Sequence, residues 1–275
     1  MPNFIVGARL HDYGKGTPDE LFGKVSADGF AAVQLAYKKC VPTVKSYADV
    51  TDALVAETVA AEKAHHIQVA VLGTYVELAI NDESRLCNVA DFKSQLSVCK
   101  ALGAGCIGTE TTAMSKQPAG TTRAQAQELL CRSLAEILPA AEALGVTVGI
   151  EPVTYHSMNS AAATRHILDT MRSPNLKVIF DMSNLVSAEN VDAQDRIWYD
   201  TGTLLGDQIV AVHFKGQAFA PDGSLLHTSL EESRTDYAGA FAMLRQLPQP
   251  ALPVLREEAV PARAASDIAF MKGFF

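Results

Sequence analysis

The sequence is short of the features that mark membrane and secreted proteins. It contains no uninterrupted apolar run near the roughly 18 residues that a membrane-spanning helix needs. Its N-terminus, MPNFIVGARLHDYGK, has no cationic leader followed by a long apolar segment. We therefore expect no membrane association and a cytoplasmic location.

The sequence has fewer basic residues than acidic ones. The 275 residues include 23 Lys and Arg against 31 Asp and Glu, which gives a formal net charge of −8. A surface of that sign repels phosphate backbones and anionic lipids unless a local basic patch overrides it, and the sequence contains no such patch. We therefore expect no nucleic-acid partner, while a homo-oligomer stays open.

Cysteines are few, and their spacing is not that of paired cysteines. The chain has five of them, an odd number with no CxxC pair, and they lie in otherwise apolar or helical stretches. This pattern excludes a disulfide scaffold and is typical of buried thiols in a reducing compartment. It favours the same cytoplasmic location.

Short, β-branched apolar runs alternate along the chain with longer segments whose apolar residues recur at helical spacing. This alternation is typical of parallel βα units, in which strands covered on both faces are almost continuously apolar. Thr17 before Pro18 marks a helix start, and Gly145 and Pro174 mark helix ends. The apolar runs number eight, and they cover residues 4–10, 31–36, 68–76, 106–110, 146–153, 176–182, 209–215 and 253–259.

Eight βα units predict a (β/α)8 TIM barrel of the α/β class. The chain allows about 34 residues for each unit, close to the span of one βα repeat, and no linker divides it, so we expect a single domain over residues 1–275. An open doubly wound sheet is the alternative, but it would need a GxGxxG turn where the sequence has ARLHDYGKG. The longest irregular stretch, 217–235, follows the seventh strand as an insertion or lid would.

Polar residues collect at the predicted strand ends, which in a TIM barrel meet at one mouth. The last four strands end in Glu151, Asp181, His213 and Glu257. Such residues are costly at the edge of an apolar barrel unless they are paired, hydrogen-bonded or bound to a metal. Three carboxylates and one imidazole suit a divalent Mn, Co, Mg or Zn ion and leave positions open for substrate oxygens. We therefore expect these residues to bind one divalent metal ion.

Each of these four residues also has a purely structural explanation. The explanations are an ion pair of Glu151 with Lys177 or Arg165, a helix cap by Asp181, a satisfied core position for His213, and an ion pair of Glu257 with Arg256. Four successive strands that end in ligand-type residues favour one metal site over four separate explanations.

The sequence around these positions resembles the xylose isomerase-like barrels of sugar phosphate isomerases and epimerases, which include ketose 3-epimerases. The resemblance rests on GIEPV with Glu151, VIFDMSN with Asp181, VAVHFKG with His213 and VLREEA with Glu257. It implies that these four residues are the metal ligands and that Glu151 and Glu257 serve as acid and base. In VLREEA, strand alternation is expected to send Glu258 to the other side.

The sequence also departs from the pattern of ketose 3-epimerases. Those enzymes usually carry a His three residues after the metal-binding Asp, where this chain has Asn184, which cannot become positively charged. Before the DY pair, Glu231 and Ser233 stand where glycines are expected. Both departures leave the identity of the substrate open.

The pattern and the resemblance together predict a divalent-metal-dependent sugar or sugar phosphate isomerase or epimerase. It would transfer a proton next to a carbonyl through a metal-stabilised enediolate. The candidates for substrate binding are His11, Glu110, His156 and Lys215, of which Lys215 could instead be a solvated lysine.

Two other classes of protein stay open on the same barrel. A metal-dependent lyase or dehydratase of a sugar-derived or keto-acid substrate would use the same ligands and the same base. A non-catalytic metal- or sugar-binding barrel would keep the pocket alone. An endonuclease of this fold would need three metals, more histidines and a basic groove, which the net charge of −8 argues against.

Overall fold

The computed structural model describes residues 1–81 and 83–275. Its strands from β1 to β7, followed by β10, are Asn3–Arg9, Ala32–Leu35, Gln68–Gly73, Cys106–Glu110, Val148–Glu151, Leu176–Asp181, Ile209–Phe214 and Ala251–Arg256. They form a closed parallel barrel in the order β1-β10-β7-β6-β5-β4-β3-β2. Each strand overlaps one of the eight apolar runs, so the (β/α)8 prediction is confirmed.

Helices connect the strands on the outside of the barrel. From α1 to α10 they are Pro18–Ala27, Tyr37–Cys40, Asp52–His65, Ser84–Ser94, Leu96–Leu102, Arg123–Leu144, Ala161–Met171, Gln194–Leu205, Tyr237–Leu244 and Ala264–Lys272. The predicted start of α1 is a capping box, in which the Thr17 side chain and the Glu20 side chain each accept a backbone N–H of the other residue. Helix α6 ends at Gly145, whose φ of 69° favours glycine.

The stretch after β7 is more regular than the sequence indicated. Strands β8 (Gly216–Phe219) and β9 (Leu225–Thr228) pair antiparallel and form a hairpin outside the barrel sheet. Gly223 turns the chain between them with a φ of 82°. Both strands are only four residues long, and neither GQAF nor LLHT alternates apolar and polar residues in the way by which strands are recognised.

Small residues make room for Ile179 inside the barrel. A Cβ atom at Gly108 would lie 2.4 Å from Ile179 Cδ1, and one at Gly149 would lie 2.8 Å from Ile179 Cγ1. This interior layer of packed apolar side chains comprises Ala32, Ala70, Val71, Cys106, Ile179, Ala211 and Leu255. The polar strand-end residues are therefore confined to the mouth formed by the carboxyl ends of the strands.

The cysteines are all free thiols, but not all of them are buried. Cys40, Cys99 and Cys106 are buried, whereas Cys87 is exposed on α4 and Cys131 is half-buried on α6.

Among the described residues, none of the helices combines the length and the apolar character that a membrane span requires.

Candidate active site

Four ligand-type side chains converge at the mouth of the barrel. Glu151 ends β5, Asp181 ends β6, His213 lies in β7 and Glu257 directly follows β10. All four are buried, and the register of β6 against β7 places Asp181 opposite His213. The closed topology therefore brings together residues that are up to 106 positions apart in the chain.

His213 lies between the two glutamates. Its Nδ1 atom is 3.1 Å from Glu151 Oε2 and 3.4 Å from Glu257 Oε1. Glu151, Asp181 and His213 each offer a ligand atom, and these atoms all lie within 4.8 Å of one another. Glu257 adjoins this group through His213.

The imidazole of His213 provides a test of whether a cation fits here. Neither of its ring nitrogens has a hydrogen bond of acceptable geometry within the described part of the chain. Buried polar atoms without partners are rare in folded proteins, and they often mark the place of an ion or a water molecule. With three carboxylates around it, the imidazole completes a donor set suited to a divalent cation. His213 is therefore not a core histidine whose hydrogen bonds are all satisfied within the described residues.

The structural explanations for Asp181 and for the two glutamates do not hold either. Asp181 does not cap a helix, because its Oδ1 accepts the backbone N–H groups of Ser183 and Asn184 in the turn that follows β6. The cations proposed as partners of the glutamates have other partners, which are Gln208 for Lys177, Asp169 for Arg165 and Asp267 for Arg256.

Lys215 and Asn184 connect three of these side chains on one side. Lys215 Nζ lies 2.9 Å from Asp181 Oδ2 and 3.7 Å from Glu257 Oε2, and it donates to Asn184 Oδ1 at 2.8 Å. Asn184 Nδ2 in turn donates to Glu151 Oε1 at 2.6 Å. Lys215 is only 7% exposed, so it is not the solvated lysine that the sequence left open.

The charges of the site move the pKa values of the two glutamates in opposite directions. Burial raises the pKa of Glu151. Burial acts in the same direction on Glu257, but His213, Lys215 and Arg9 outweigh it and lower the pKa of Glu257 to about 2. Burial would lower the pKa of His213, but the carboxylates of Glu257 and Glu151 raise it to about 9. The site thus places two carboxyl groups with different pKa values beside one imidazole.

Arg9 links Glu257 to a second ion-pair network. The Arg9 guanidinium lies 3.8 Å from Glu257 Oε2, 2.7 Å from Asp12 Oδ1 and 2.9 Å from Glu258 Oε1. Glu258 does not follow strand alternation, because β10 ends at Arg256 and Glu258 has a φ of 56°. Its carboxylate therefore shares the Arg9 guanidinium with Glu257, in contrast to the prediction from alternation.

Glu110 and His156, two of the predicted substrate-binding residues, lie together at the mouth. Glu110 ends β4 opposite Glu151, and its Oε2 is 3.9 Å from His156 Nε2. Burial and the Glu151 carboxylate raise the pKa of Glu110 to about 8. Burial lowers the pKa of His156 to about 4. Both groups are therefore largely uncharged near neutral pH, a state in which they can exchange hydrogen bonds with hydroxyl groups.

His11, the fourth predicted substrate-binding residue, lies on the β1 side of the mouth. It belongs to a short 3₁₀ helix after β1, and its ring meets the edge of the Tyr75 ring with 5.7 Å between the centroids. Burial lowers the pKa of His11 to about 4.

Tyr75 and Gln34 belong to the mouth, although the sequence assigned them no role. Tyr75 has a φ of 53°, an uncommon conformation for a bulky residue, and its hydroxyl accepts a hydrogen bond from Gln34 Nε2 at 2.8 Å. Both line a small cavity of about 10 Å³ together with Glu110, Glu151 and Glu257. The position of Gln34 near the end of β2 and of Tyr75 after β3 indicated the mouth, but backbone conformation cannot be read from residue type.

Comparisons with known proteins agree with this architecture. A search of curated proteins gave no significant match. Similar solved structures include 3-keto-D-glucoside 4-epimerase YcjR from E. coli in its apo form, with 17% identity, a TM-score of 0.73 and coverage of 98% of this chain and 100% of that one. A D-tagatose 3-epimerase-like protein has 13% identity and a TM-score of 0.76, with coverage of 100% of this chain and 97% of that one. The IOLI protein with a bound zinc atom has 16% identity and a TM-score of 0.74, with coverage of 100% of this chain and 96% of that one.

Identities of this size show a shared fold and nothing finer. A comparison with protein families is more informative. The model of the xylose isomerase-like TIM barrel family matches residues 22–273, which is most of the sequence. The chain belongs to the xylose isomerase-like TIM barrel family.

Proposed function

We propose that this protein is a divalent-metal-dependent isomerase or epimerase that transfers a proton next to the carbonyl group of a sugar. The observation that carries the proposal is the convergence of Glu151, Asp181 and Glu257 around His213, whose buried ring nitrogens lack hydrogen-bond partners among the described residues. The names of similar structures add support, since one is a sugar epimerase, one is epimerase-like and one contains zinc.

Glu151, Asp181, His213 and Glu257 would hold the metal. When bound, a divalent cation supplies an electrophile that polarises neighbouring carbonyl and hydroxyl oxygens and makes the intervening C–H bond more acidic. Mn, Co, Mg and Zn are all compatible with a donor set of three carboxylates and one imidazole.

The chain's own residues carry the proton. Glu257 and Glu151 lie 3.4 Å and 3.1 Å from His213 Nδ1, so a substrate bound at the mouth has two carboxyl groups close to it. One glutamate removes the proton and the other returns it. The buried Lys215 ammonium stabilises the negative charge that develops on the substrate, and His11, Glu110 and His156 bind its hydroxyl groups.

Hydrogen exchange tests this proposal directly. The metal-loaded protein is incubated in D2O with a panel of ketoses, ketose phosphates and keto acids, and the carbon next to the carbonyl is followed by NMR. We expect deuterium to be incorporated at that carbon, because proton removal is the first step of epimerisation, isomerisation and dehydration alike. A changed hydroxyl stereocentre identifies an epimerase, a moved carbonyl an isomerase, and a lost water a dehydratase.

Glu257→Gln keeps the shape of the side chain but removes the basic carboxylate. It should slow the exchange by roughly 10²–10⁴-fold, the usual contribution of a positioned general base. Glu258→Gln is the matched control, since Glu258 also contacts Arg9 but is not among the proposed ligands. The proposal would be contradicted if no compound of the panel exchanged, or if Glu257→Gln exchanged as fast as the wild type. If the protein bound metal and sugar without any exchange, it would be a non-catalytic binding barrel.

The setting of this activity is also part of the proposal. A sugar-like small molecule as substrate is supported by the sugar epimerase among the similar structures. The expectation of no nucleic-acid partner is supported by the net charge of −8, and a cytoplasmic location by the five free thiols. A homo-oligomer stays a prediction.

A further inference from the structure

A second cavity adjoins the mouth on the side of the hairpin. It has a volume of about 300 Å³ and lies between the turn after β5, the loop after β6 and the hairpin of β8 and β9. Tyr155, Asn184, Phe219 and Leu225 are among the residues that line it, whereas none of the four proposed metal ligands does.

Asn184 forms the wall between this cavity and the proposed metal ligands. Asn184 lines the cavity, and its side chain donates to Glu151 Oε1 at 2.6 Å and accepts from Lys215 Nζ at 2.8 Å. Ser183, which also lines the cavity, donates its backbone N–H to Asp181 Oδ1. One layer of side chains thus separates the cavity from the ligands, so a substrate that extends past Asn184 would enter it.

Hydrogen bonds hold the walls of the cavity together. The Gln217 side chain on β8 donates to the carbonyl oxygens of Ser183 and Val186, at 2.7 Å and 3.1 Å, and so ties the hairpin to the loop after β6. At Gly216, a Cβ atom would lie 2.4 Å from the carbonyl oxygens of both Thr228 and Ser229. The two hairpin strands therefore require glycine here for their close approach, and the cavity is a built feature of the fold.

The lining favours an uncharged ring. Val186, Phe219 and Leu225 provide apolar surface, and the Tyr155 ring is 54% exposed. Of the described residues that line the cavity, Glu189 alone carries a formal charge, and that charge is negative. A phosphate or carboxylate group would find no cation here and would be repelled by Glu189, whereas an apolar ring face with a few hydroxyl groups would suit the mixture of aromatic, amide and hydroxyl groups.

We propose that this cavity binds an uncharged ring attached to the sugar that reacts at the mouth, so that the substrate is a glycoside whose reacting sugar keeps a free carbonyl group, and not a sugar phosphate. The attached ring is a second sugar or an aromatic group, since both present an apolar face. This assignment rests on the proposed function, because it places the reacting sugar among the four metal ligands.

Binding measurements on the purified protein test the assignment without turnover. The probes are D-glucose, methyl β-D-glucopyranoside, phenyl β-D-glucopyranoside, cellobiose and D-glucose 6-phosphate, each titrated by saturation-transfer NMR. We expect phenyl glucoside or cellobiose to bind about tenfold more tightly than methyl glucoside, a typical gain from one aromatic contact and the apolar area around it. Whichever of phenyl glucoside and cellobiose binds more tightly shows whether the attached ring is aromatic or a sugar. D-glucose 6-phosphate should bind no more tightly than D-glucose.

Variants locate the binding. Ala188→Phe introduces a large side chain into the cavity lining and should remove the preference while leaving the affinity for D-glucose unchanged. Tyr155→Ala should reduce the preference. Tyr199→Ala is the matched control, because Tyr199 is another exposed tyrosine, 64% accessible on α8, that does not line the cavity.

Three results would overturn the assignment, namely equal or absent binding of all probes, tighter binding of the phosphate, or an unchanged preference in Ala188→Phe. Failure of the proposed function is distinguishable from these. A preference for glycosides without deuterium exchange contradicts proton transfer but not the cavity. Exchange of monosaccharides without any preference contradicts the cavity but not proton transfer.

Discussion

The Lys215 ammonium lies 2.9 Å from Asp181 Oδ2, and both side chains are buried. Burial would lower the pKa of Lys215, but the carboxylates of Asp181 and Glu257 raise it, so the amine stays protonated. A fixed positive charge therefore lies beside the proposed metal ligands. Such a charge weakens the attraction of Asp181 for a cation and strengthens the attraction of the site for a negatively charged intermediate.

Replacement of Lys215 separates these two effects. We expect Lys215→Met to bind metal at least as well as the wild type, because a competing cation is removed from Asp181. Deuterium exchange should fall by about 10²-fold, as for other residues that stabilise charge in a transition state. Elemental analysis and D2O exchange on the same samples measure both quantities. Loss of metal in Lys215→Met, or exchange at the wild-type rate, would show that Lys215 has another role.

Asn184 is expected to act on the metal through its hydrogen bonds to Glu151 and Lys215. Asn184→Ala should weaken metal binding by about 10–100-fold, since groups that orient metal ligands usually contribute that much. Asn190→Ala is the control, because Asn190 bonds the backbone of Ser187 and Leu185 in the same loop without reaching the ligands. Titration with Mn²⁺ or Zn²⁺ measures the affinities; equal losses in both variants would mean that loop distortion alone is responsible.

The ligand role of His213 can be compared with that of a histidine far from the mouth. His213→Ala should lose most of the bound metal. His65→Ala should keep it, because His65 ends α3 before β3 and binds Asp19 at 2.8 Å. The metal content of protein purified without chelator is the measurement. Equal losses in the two variants would mean that the ligand set is wrong.

The barrel interior gives a prediction about stability. Gly108→Ala places a methyl group 2.4 Å from Ile179 Cδ1 and should destabilise the fold by about 1–3 kcal/mol, as overpacking of a core does. Ile179→Val deletes that Cδ1 atom, so the double variant should lose less stability than the sum of the two single changes. Urea unfolding measures all three variants, and strictly additive losses would rule out the contact as the cause.

The buried His156 gives a prediction about pH. Burial lowers its pKa to about 4, below the ordinary value of 6.5, so the unfolded chain binds a proton that the folded protein does not. Stability is therefore fully present above pH 6.5, and up to about 3 kcal/mol of it is lost as the pH falls towards 4. His156→Gln should flatten this part of the stability profile, whereas His166→Gln, on the exposed face of α7, should not. A profile unchanged by His156→Gln would contradict the assignment.

Local patterns in the sequence were enough to predict the barrel and the residues at its mouth. Apolar runs of strand length, separated by capped helices, specify parallel βα units, and eight such units can close on themselves. In a closed parallel barrel all strands end on the same side. The strand-end residues Glu151, Asp181, His213 and Glu257 therefore had to approach one another, whatever the details of packing.

Contacts between distant loops could not be predicted in this way. Asn184 looked only like a missing histidine, yet it joins Glu151 and Lys215, which lie 33 and 31 positions away along the chain. Glu258 and Tyr75 left the expected strand geometry because both have positive φ values, which residue type does not reveal. The cavity behind Asn184 likewise exists because a hairpin of two four-residue strands is tied to the loop after β6 by the Gln217 side chain. Such features depend on which backbone carbonyl or carboxylate a side chain meets after folding, and only the tertiary structure decides that.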